Sequence, residues 1–410
     1  MKVVHLVAGE LNGGAAKGAL SLHAGLLELG VESYVINNKR IVNSELKNVI
    51  TTYSGAYSRI CSYIKRVLSN SFLLFYPNKK KEIFNTGIIG DNFSRNIIFK
   101  EADIVHMHWI NGLVSISQIN KIKKPIIWTI RDYWPLSGGC HVPMECFGYL
   151  SNCGSCPVLG SKCESDLSSK LIAFKARMYP RNIRLIAFSQ FMERAIRRST
   201  LFKNNPINIV PNSIWAYREI NKLLARKILG LDNSFKYILI GAQGINEPWK
   251  GFDLFYKSIE FLKDKDKYKI IFFGNEDSSI FNDIDIEIIH MGFIQNEERL
   301  NYIYSSADVF VSPSKHETFG KTIAESMASG TPVVIFDAGG QADLVSHRDD
   351  GYKATPYSTR DLADGIVWIL NLSKIDYARL RQNAVKSSRR FAYKTIAKRH
   401  YEIYKEMLNQ

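Results

Sequence analysis

The sequence of 410 residues contains no apolar run near the length of about 18 residues that a membrane-spanning helix needs. Its first residues, MKVVHLVAGELNGG, lack signal-peptide architecture, because their short apolar stretch runs into glycines rather than a small-residue cleavage site. Internal repeats and low-complexity tracts are also missing, and the hydrophobic content of 46% is ordinary for a globular protein. We therefore expect a cytoplasmic protein without a membrane span.

Acidic residues are scarce in the first half of the chain. Residues 1–205 carry 27 Lys+Arg against 13 Asp+Glu, whereas residues 206–410 carry 27 against 26. A positive field confined to one half favours an anionic partner there, which can be an acidic membrane surface, a lipid diphosphate or a nucleic acid. A purely solubilising surface is the alternative that charge by itself leaves open.

Short apolar runs alternate with longer amphipathic ones, a pattern that predicts α/β architecture with mainly parallel strands. One strand–helix series starts at the N-terminus and a second follows Pro211-Asn212, which predicts two Rossmann-like domains in a chain too long for one core. We predict a first domain over residues 1–205, with a cysteine-rich insertion at 138–165, and a second domain over 206–385. A C-terminal helix over 386–410 carries apolar side chains that can pack against another domain.

The strongest functional pattern is SADVFVSPSKHETFGKTIAESMASGTPVVIFDAGGQADLV at residues 306–345. A predicted strand ends at Ser312, and the loop after it opens into a helix whose first N–H groups form a ready anion site. Glu317 lies on the loop. Glu325 lies about one and a half turns into the helix, where a carboxylate can accept hydrogen bonds from ribose hydroxyls. The alternative is a surface helix held by ion pairs.

This pattern resembles retaining glycosyltransferases of family 4, whose signature is Glu-x₇-Glu in a Glu-x-Phe-Gly context. The resemblance implies the GT-B fold, in which two Rossmann-like domains face each other across a cleft, and it implies no catalytic metal. It also implies that Glu317 contacts the donor sugar and Glu325 the nucleotide ribose. Residues implied to bind the nucleotide-sugar donor are Gly13, Gly14, Lys250, Phe319, Gly320, Lys321, Thr322 and Glu325.

Two further segments support the same resemblance. GAQGINEPWKGFDLF at residues 241–255 is similar to the family's first strand and loop of the donor domain, which implies that Lys250 holds the donor diphosphate. Many relatives carry an arginine just after this strand, whereas this chain has Ala242 and Gln243. The residue that usually makes a second cationic contact to the donor phosphate is therefore missing at this position. Gly13-Gly14 resembles the family's Gly-Gly-Ala loop, in which glycine lets backbone N–H groups approach phosphate.

Residues 103–112 and 123–141 resemble a subgroup associated with colanic acid, capsule and O-antigen synthesis. The subgroup's Trp-Thr-Leu-His-Asp reads Trp-Thr-Ile-Arg-Asp here, so Arg131 replaces a histidine that often faces a sugar. Arginine cannot be a general base at neutral pH, and Arg131 is therefore predicted to act as a cationic clamp. His108 is a candidate catalytic group, with a structural histidine at a strand end as the alternative.

Five of the six cysteines crowd residues 140–163. Cys140, Cys146, Cys153 and Cys156 have the spacing C-x₅-C-x₆-C-x₂-C, and His141 lies beside the first. In a reducing cytoplasm this grouping predicts a metal site or free thiols before disulfides. Four thiolates can hold a structural zinc ion tetrahedrally, and a loop of reduced thiols is the alternative.

Residues 57–81 form a basic amphipathic segment. Its apolar residues repeat at helical spacing at Ile60, Tyr63, Ile64, Val67 and Leu68, and its flanking cations are Arg59, Lys65, Arg66 and Lys79 to Lys81. Such a segment can lie in the interface of an anionic membrane. A helix that faces the core with a solvated basic edge is the alternative.

The resemblance as a whole implies a retaining glycosyltransferase that moves a sugar from a UDP- or GDP-sugar to a polyprenyl-diphosphate-linked glycan. The pathway would be bacterial O-antigen, capsule or exopolysaccharide synthesis at the inner face of the plasma membrane, with the protein peripheral and no nucleic acid bound. The predicted catalytic residues are Glu317, Lys250, Arg131 and His108, and the last helix is implied to cross back to the N-terminal domain. The alternatives are a nucleotide-sugar epimerase or hydrolase on the same fold, and a basic zinc-containing nucleic-acid-binding protein.

Overall fold

The structure is a computed structural model that divides into two compact units. It describes residues 1–39, 47–52, 56–242, 244, 247–274 and 284–409, with the backbone alone at 56–59, 61, 62 and 66. Unit 1 consists of Met1–Pro211 with Ile396–Gln410, and unit 2 of Asn212–Thr395. Gln243 and the side chains of Arg59 and Arg66, which entered the predictions above, lie outside the described part.

Within its described residues, unit 1 contains a sheet of seven parallel strands covered by helices. The strands are β1 (Lys2–Leu6), β2 (Glu32–Asn37), β3 (Val49–Thr51), β4 (Ile104–Met107), β5 (Ile126–Ile130), β6 (Arg184–Ala187) and β7 (Ile207–Ile209). Their spatial order is β3-β2-β1-β4-β5-β6-β7. The helices are α1 (Gly14–Glu28), α2 (Ala56–Ser71), α3 (Ile97–Glu101), α4 (Ile116–Ile119), α5 (Leu167–Met178) and α6 (Gln190–Arg198).

The central strands of unit 1 are continuous apolar runs because both faces of a parallel sheet are covered. β5, with the sequence IIWTI, is buried along its whole length, and Trp128 at its centre belongs to the main core. The Asp166 carboxylate caps α5 and the Ser189 hydroxyl caps α6, each by accepting bonds from first-turn N–H groups. Parallel strands bring their carboxyl ends to one edge, and the loops that leave this edge carry the candidate residues of unit 1.

Unit 2 has the same architecture, with six parallel strands in the part that the structure describes. The strands are β8 (Lys236–Ala242), β9 (Tyr268–Gly274), β10 (Ile288–His290), β11 (Val309–Ser312), β12 (Val333–Phe336) and β13 (Gly351–Ala354). Their spatial order is β10-β9-β8-β11-β12-β13. The helices are α7 (Lys222–Leu229), α8 (Phe252–Ile259), α9 (Glu297–Ser306), α10 (Lys321–Ala328), α11 (Thr359–Leu370) and α12 (Lys374–Ser388). The two units confirm the predicted pair of Rossmann-like α/β domains.

Three short strands, β3, β7 and β13, have little signal in the local sequence. They are three or four residues long, and neither β3 nor β7 contains a fully buried residue. Without a continuous apolar run, the local sequence does not distinguish them from loop. Their parallel pairing with β2, β6 and β12 defines them instead, and that pairing depends on distant parts of the chain.

The C-terminal helix α13 (Tyr393–Leu408) belongs to unit 1 from Ile396 onward. Ile396 and Tyr404 are buried among apolar residues of β1, β4 and β5, and the Tyr404 hydroxyl lies 2.7 Å from Nδ1 of His106. The division between the units falls after Pro211 rather than after residue 205, and residues 386–395 belong to unit 2.

The positive charge of the chain belongs to unit 1. Unit 1 contains 30 Lys+Arg against 15 Asp+Glu, whereas unit 2 contains 24 of each. In the described part of the chain, no helix combines the length and apolarity needed to cross a membrane.

Candidate active site

The loops that follow β8 and β11 leave the same edge of the unit 2 sheet and pack against each other. The N–H of Lys315 donates to the carbonyl of Trp249 at 2.8 Å. Gly251 has a φ of 69°, and a Cβ at this position would lie 1.9 Å from the Pro313 carbonyl oxygen. Only glycine tolerates both the positive φ and the close approach of the second loop. The two loops therefore bring Lys250 and Glu317, which are distant in sequence, to one place.

Lys250 and Glu317 form an ion pair at this edge. Lys250 Nζ lies 2.7 Å from Glu317 Oε1, and the Ser314 hydroxyl donates to the same oxygen at 3.2 Å. The pair is partly accessible, with 23% of the Lys250 side chain and 18% of the Glu317 side chain exposed. Burial opposes the charged ammonium, but the carboxylates of Glu317 and Glu247 outweigh it and raise the pKa of Lys250 above its ordinary value. The edge thus presents a firmly charged cation that an anionic ligand can reach.

The N-terminus of α10 lies on the same loop. Gly320 precedes the helix with a φ of 99°, and the first-turn N–H groups of Lys321 and Thr322 come before the helix's own hydrogen-bond ladder. Such N–H groups carry partial positive charge and attract anions. Phe319 is buried, and its ring meets that of Phe391 edge to face at 5.4 Å. Phe319 therefore fixes the loop through packing, while Gly320 and the first turn of α10 offer backbone donors.

Glu325 lies in the second turn of α10 and is 3% exposed. One carboxylate oxygen accepts from the Tyr304 hydroxyl at 3.0 Å, and the other pairs with the ammonium of Lys321 one turn earlier. Both oxygens thus have partners within unit 2.

Sequence reasoning missed Gln341, which ties together the strand ends at this edge. Gln341 is fully buried, and its amide donates to the carbonyls of Ser314 at 2.9 Å and Phe336 at 3.2 Å. The N–H of Gly340 donates to the carbonyl of Glu317 at 2.7 Å, so the segment after β12 holds the backbone of the Glu317 loop. The signal that could have found it is the pair Gly339-Gly340, which begins three residues after the end of β12, because ligand-binding loops follow the carboxyl ends of parallel strands.

In unit 1, β1 and β4 bring together a buried histidine cluster, which we define as His5, His106 and His108. Arg131 Nη2 donates to His108 Nδ1 at 3.0 Å, and His108 Nε2 lies 2.9 Å from His5 Nδ1. A guanidinium only donates, so His108 Nδ1 accepts, and the neutral ring carries its proton on Nε2 and donates to His5. Burial, followed by repulsion from nearby histidines and from Arg131, lowers the pKa of all three well below the ordinary value.

His108 is 2% exposed, and both of its ring nitrogens are used in these bonds. The geometry favours the structural alternative for His108 over a catalytic role. Arg131 is also buried, and burial lowers its pKa to about 9, with the Asp132 carboxylate opposing the shift. Arg131 therefore remains a cation at neutral pH, and its predicted role as a clamp stays a prediction.

Among the described residues, the nitrogens of the histidine cluster lie within 4.8 Å of one another, close enough to hold one metal ion. His106 nevertheless uses both nitrogens in bonds of 2.7 Å to the hydroxyls of Tyr404 and Thr129. The Arg131 guanidinium donates a hydrogen bond to His108, and its positive charge would repel a metal ion bound beside it. We therefore assign the cluster to hydrogen bonding rather than to a metal ion.

The glycine loop of unit 1 precedes α1, as the sequence predicts. Gly13 is extended, with φ −76° and ψ 159°, and no side chain caps the helix. A Cβ at Gly14 would meet nothing within 4 Å. The first-turn N–H groups of α1 thus form a second candidate for an anion, within unit 1.

The apolar side chains of α2 and of the short 3₁₀ helix Phe72–Phe75 are exposed. We define the α2 surface by its exposed members, which are Ile60, Tyr63, Ile64, Val67, Leu68, Phe72, Leu74 and Phe75. Leu74 is 82% exposed and Phe75 is 81% exposed. The alternative of a helix that faces the core is therefore wrong. Contiguous exposed apolar side chains mark an interaction site.

Comparison with known protein families identifies the domain that carries the ion pair. The family described as Glycosyl transferases group 1 matches residues 224–387, which lie in unit 2 and include Lys250, Glu317 and Glu325. Residues 224–387 therefore form a glycosyl transferase group 1 domain, which is the kind of domain that the motifs in this segment indicated.

Three curated relatives illustrate the likeness. An uncharacterized glycosyltransferase of Methanocaldococcus jannaschii is 22% identical over 323 residues, covering 74% of this chain and 75% of that protein. WcaC of Escherichia coli, assigned to colanic acid biosynthesis as a glycosyl transferase, is 21% identical over 336 residues, covering 78% and 80%. The N,N'-diacetylbacillosaminyl-diphospho-undecaprenol alpha-1,3-N-acetylgalactosaminyltransferase of Campylobacter jejuni is 26% identical over 162 residues, covering 39% of this chain and 42% of its own length.

Solved structures share the fold over the whole chain. Sucrose-phosphate synthase from Thermosynechococcus elongatus matches with a TM-score of 0.70 at 16% identity and covers 100% of both chains. HepE of Anabaena in complex with UDP-glucose matches with a TM-score of 0.65 at 17% identity, covering 99% of this chain and 100% of its own. Likeness at this identity shows the fold, which is the predicted GT-B pair of parallel-sheet domains.

Proposed function

Since this chain is a glycosyltransferase with a group 1 domain, we propose that it moves a sugar, with retention of anomeric configuration, from a UDP- or GDP-sugar to a polyprenyl-diphosphate-linked glycan. The reaction would extend a bacterial surface polysaccharide such as O-antigen, capsule or exopolysaccharide. The observation that carries the proposal is the Lys250–Glu317 pair at 2.7 Å beside the N-terminus of α10.

The donor diphosphate binds between Lys250 and the first turn of α10. An ammonium and free helix N–H groups are the donors that a diphosphate requires, and each charged hydrogen bond contributes about 1.5–3 kcal/mol. The negative charge on the diphosphate grows as the sugar leaves, so these preorganised donors stabilise the transition state more than the ground state. Lys250 meets this need because its pKa is raised and its charge is held in place by Glu317 and Glu247.

The two glutamates act at different parts of the donor. Glu317 lies on the loop, fixed by Lys250 and Ser314, and accepts hydrogen bonds from hydroxyls of the transferred sugar. Glu325 lies deeper and accepts from the ribose hydroxyls, and its ion pair with Lys321 opens as the nucleotide enters. Gly13 and Gly14 contribute the N–H groups at the start of α1, which take a phosphate group in unit 1.

The acceptor is a lipid diphosphate that unit 1 holds at the membrane surface. Unit 1 carries the net positive charge of the chain, and such a field concentrates anionic ligands. The Campylobacter jejuni relative is named for a sugar linked to diphospho-undecaprenol, which is the acceptor chemistry that we propose here. The α2 surface inserts its apolar side chains into the interface, and Lys79, Lys80 and Lys81 contact anionic headgroups at about 1 kcal/mol each.

Membrane binding is tested by sedimentation with vesicles that contain anionic phospholipid. We expect the double variant Leu74→Ser/Phe75→Ser to lose most vesicle binding while keeping its unfolding midpoint, because both side chains are exposed. The matched control is Ile375→Ser, an 83% exposed apolar residue of α12 in unit 2, which should bind as the wild type does. Equal binding by the double variant and the control would exclude the α2 surface as the membrane contact.

The reaction itself is tested with a panel of UDP- and GDP-sugars, first for thermal stabilisation and then for transfer to lipid-linked glycan. We expect one donor to be consumed only when acceptor is present. Consumption at the same rate without acceptor would instead support the epimerase or hydrolase alternative.

A further inference from the structure

The cysteine-rich segment between β5 and α5 gathers four of its five cysteines around one small cavity. Cys140, Cys146, Cys153 and Cys156 all line this cavity, whose volume is about 20 Å³. All of them are free thiols, and the fifth, Cys163, is exposed and does not line the cavity. The four cysteines around the cavity are the four that the sequence spacing singled out, and Cys163 lies apart from them.

Two of the four sulfurs accept hydrogen bonds from backbone N–H groups. The Gly138 N–H donates to Cys153 Sγ at 3.3 Å, and the Gly148 N–H donates to Cys146 Sγ at 3.5 Å. Backbone N–H donors aimed at sulfur are the outer contacts that tune and orient thiolate ligands of metal ions.

A buried cation lies next to this group. Lys175 is fully buried, and its ammonium donates to the carbonyls of Trp134 and, at 2.9 Å, Ser137. The ammonium also lies 3.7 Å from the centre of the Trp134 ring, and the ionisable groups around it are Asp132, Cys140 and Cys153. A buried ammonium requires an anionic neighbour. Four thiolates around one divalent cation carry a net negative charge, which would add to that of Asp132 beside this ammonium.

The turn that carries Cys153 has an unusual backbone conformation. Cys153, Gly154 and Ser155 have φ values of 53°, 99° and 42°, so three successive residues adopt left-handed conformations. A Cβ at Gly154 would lie 2.2 Å from the Glu164 carbonyl oxygen, which makes glycine necessary there. Left-handed conformations at residues with side chains cost of order 1–3 kcal/mol each and persist where surrounding interactions impose them.

His141, which adjoins the first cysteine, is engaged elsewhere. Its Nδ1 lies 2.7 Å from Asp132 and its Nε2 lies 2.8 Å from the Asn85 amide. The candidate ligands are therefore four sulfurs and no imidazole. Among the described residues, the ligand atoms of the histidine cluster all lie within 4.8 Å of one another, whereas the four sulfurs do not meet this spacing. A zinc ion with Zn–S bonds of about 2.3 Å would therefore bring the sulfurs closer together around the cavity.

We propose that Cys140, Cys146, Cys153 and Cys156 bind one Zn²⁺ ion in a closed structural site, with Lys175 as its charge-balancing neighbour. Binding releases the thiol protons to solvent and forms four Zn–S bonds, with no redox change. The ion holds the loop between β5 and α5 in place, and it does not take part in sugar transfer.

The test is metal analysis of the full-length chain, expressed with zinc in the medium and purified without chelator. We expect about one zinc per chain in the wild type and in Cys163→Ser, and less than about 0.2 in Cys153→Ser and in Cys156→Ser. Wild-type protein with less than about 0.2 zinc, with iron in place of zinc, or with two disulfides by mass spectrometry would overturn the proposal. Equal zinc loss in Cys163→Ser would overturn the choice of ligands.

A second measurement covers the case in which the cysteine variants do not fold. Wild-type protein in which cobalt replaces zinc should show the intense visible bands of a tetrahedral tetrathiolate site. Only the weak bands of octahedral cobalt would also overturn the proposal, independently of any variant.

Discussion

Replacement of Lys250 by alanine removes the cation that we place on the donor diphosphate. Lys250 is held 2.7 Å from Glu317 and keeps a raised pKa, so the wild-type enzyme has this charge in place before substrate binds. Loss of one charged hydrogen bond costs about 1.5–3 kcal/mol, and each 1.36 kcal/mol is tenfold in rate. We expect kcat/KM for sugar transfer to fall about 10- to 150-fold, measured as nucleotide release in the presence of acceptor.

The matched control is Lys269→Ala. Lys269 pairs with Glu287 at 2.8 Å and is buried to a similar degree, but it lies at the start of β9, away from the loops that follow the strand ends. This variant should retain wild-type kcat/KM. The double variant Lys250→Ala/Glu317→Gln should lose less than the product of the two single losses, because the residues share one interaction. Wild-type turnover in folded Lys250→Ala protein, judged by its unfolding midpoint, would refute the assignment.

Three further outcomes follow from the same geometry. Glu317→Gln should slow transfer strongly with little change in nucleotide affinity measured by calorimetry; a large loss of nucleotide affinity would place Glu317 on the nucleotide instead. Gly320→Ala combines a φ of 99° with a Cβ 2.7 Å from Ile323 Cδ1, so strain of about 1–3 kcal/mol should lower its unfolding midpoint by several degrees, whereas Gly14→Ala should keep the wild-type midpoint. The buried histidine cluster has lowered pKa values, so only the unfolded chain binds protons near its ordinary pKa of 6.5. The stability that the neutral histidines contribute is therefore fully present above pH 6.5 and is lost as the pH falls below it. An unfolding midpoint that stays unchanged between pH 6.5 and about pH 5 would contradict the assignment of neutral buried histidines.

The candidate residues of unit 2 were predicted from local sequence patterns. Glu317, Gly320 and Glu325 fall within one strand–loop–helix unit, whose geometry follows from local rules for parallel α/β folds. Lys250 was identified by the same kind of local pattern. Gln341 was missed because a buried amide that satisfies distant carbonyls has no local signature.

The histidines of unit 1 show the limit of such reasoning. From the sequence, His108 could be either catalytic or structural, because its position at the end of a predicted strand does not reveal which residues pack around it. The structure brings His5 and Arg131 onto its two nitrogens from other strands, and it brings Tyr404 to His106 across 298 positions. These contacts depend on the strand order β1-β4-β5 and on the return of α13 to unit 1.

The sequence by itself determined the alternation of strands and helices, the glycines of the loops after β1 and β11, and, through its motifs, the resemblance that the group 1 match over residues 224–387 supports. The first two features arise from side-chain periodicity and backbone preference over a few neighbouring residues. Only the tertiary structure decided that Lys250 meets Glu317, that the α2 surface is exposed, and that the four predicted cysteines line one cavity. Each of these depends on which distant segments pack together, and long-range packing is set by the whole core rather than by any local stretch of the chain.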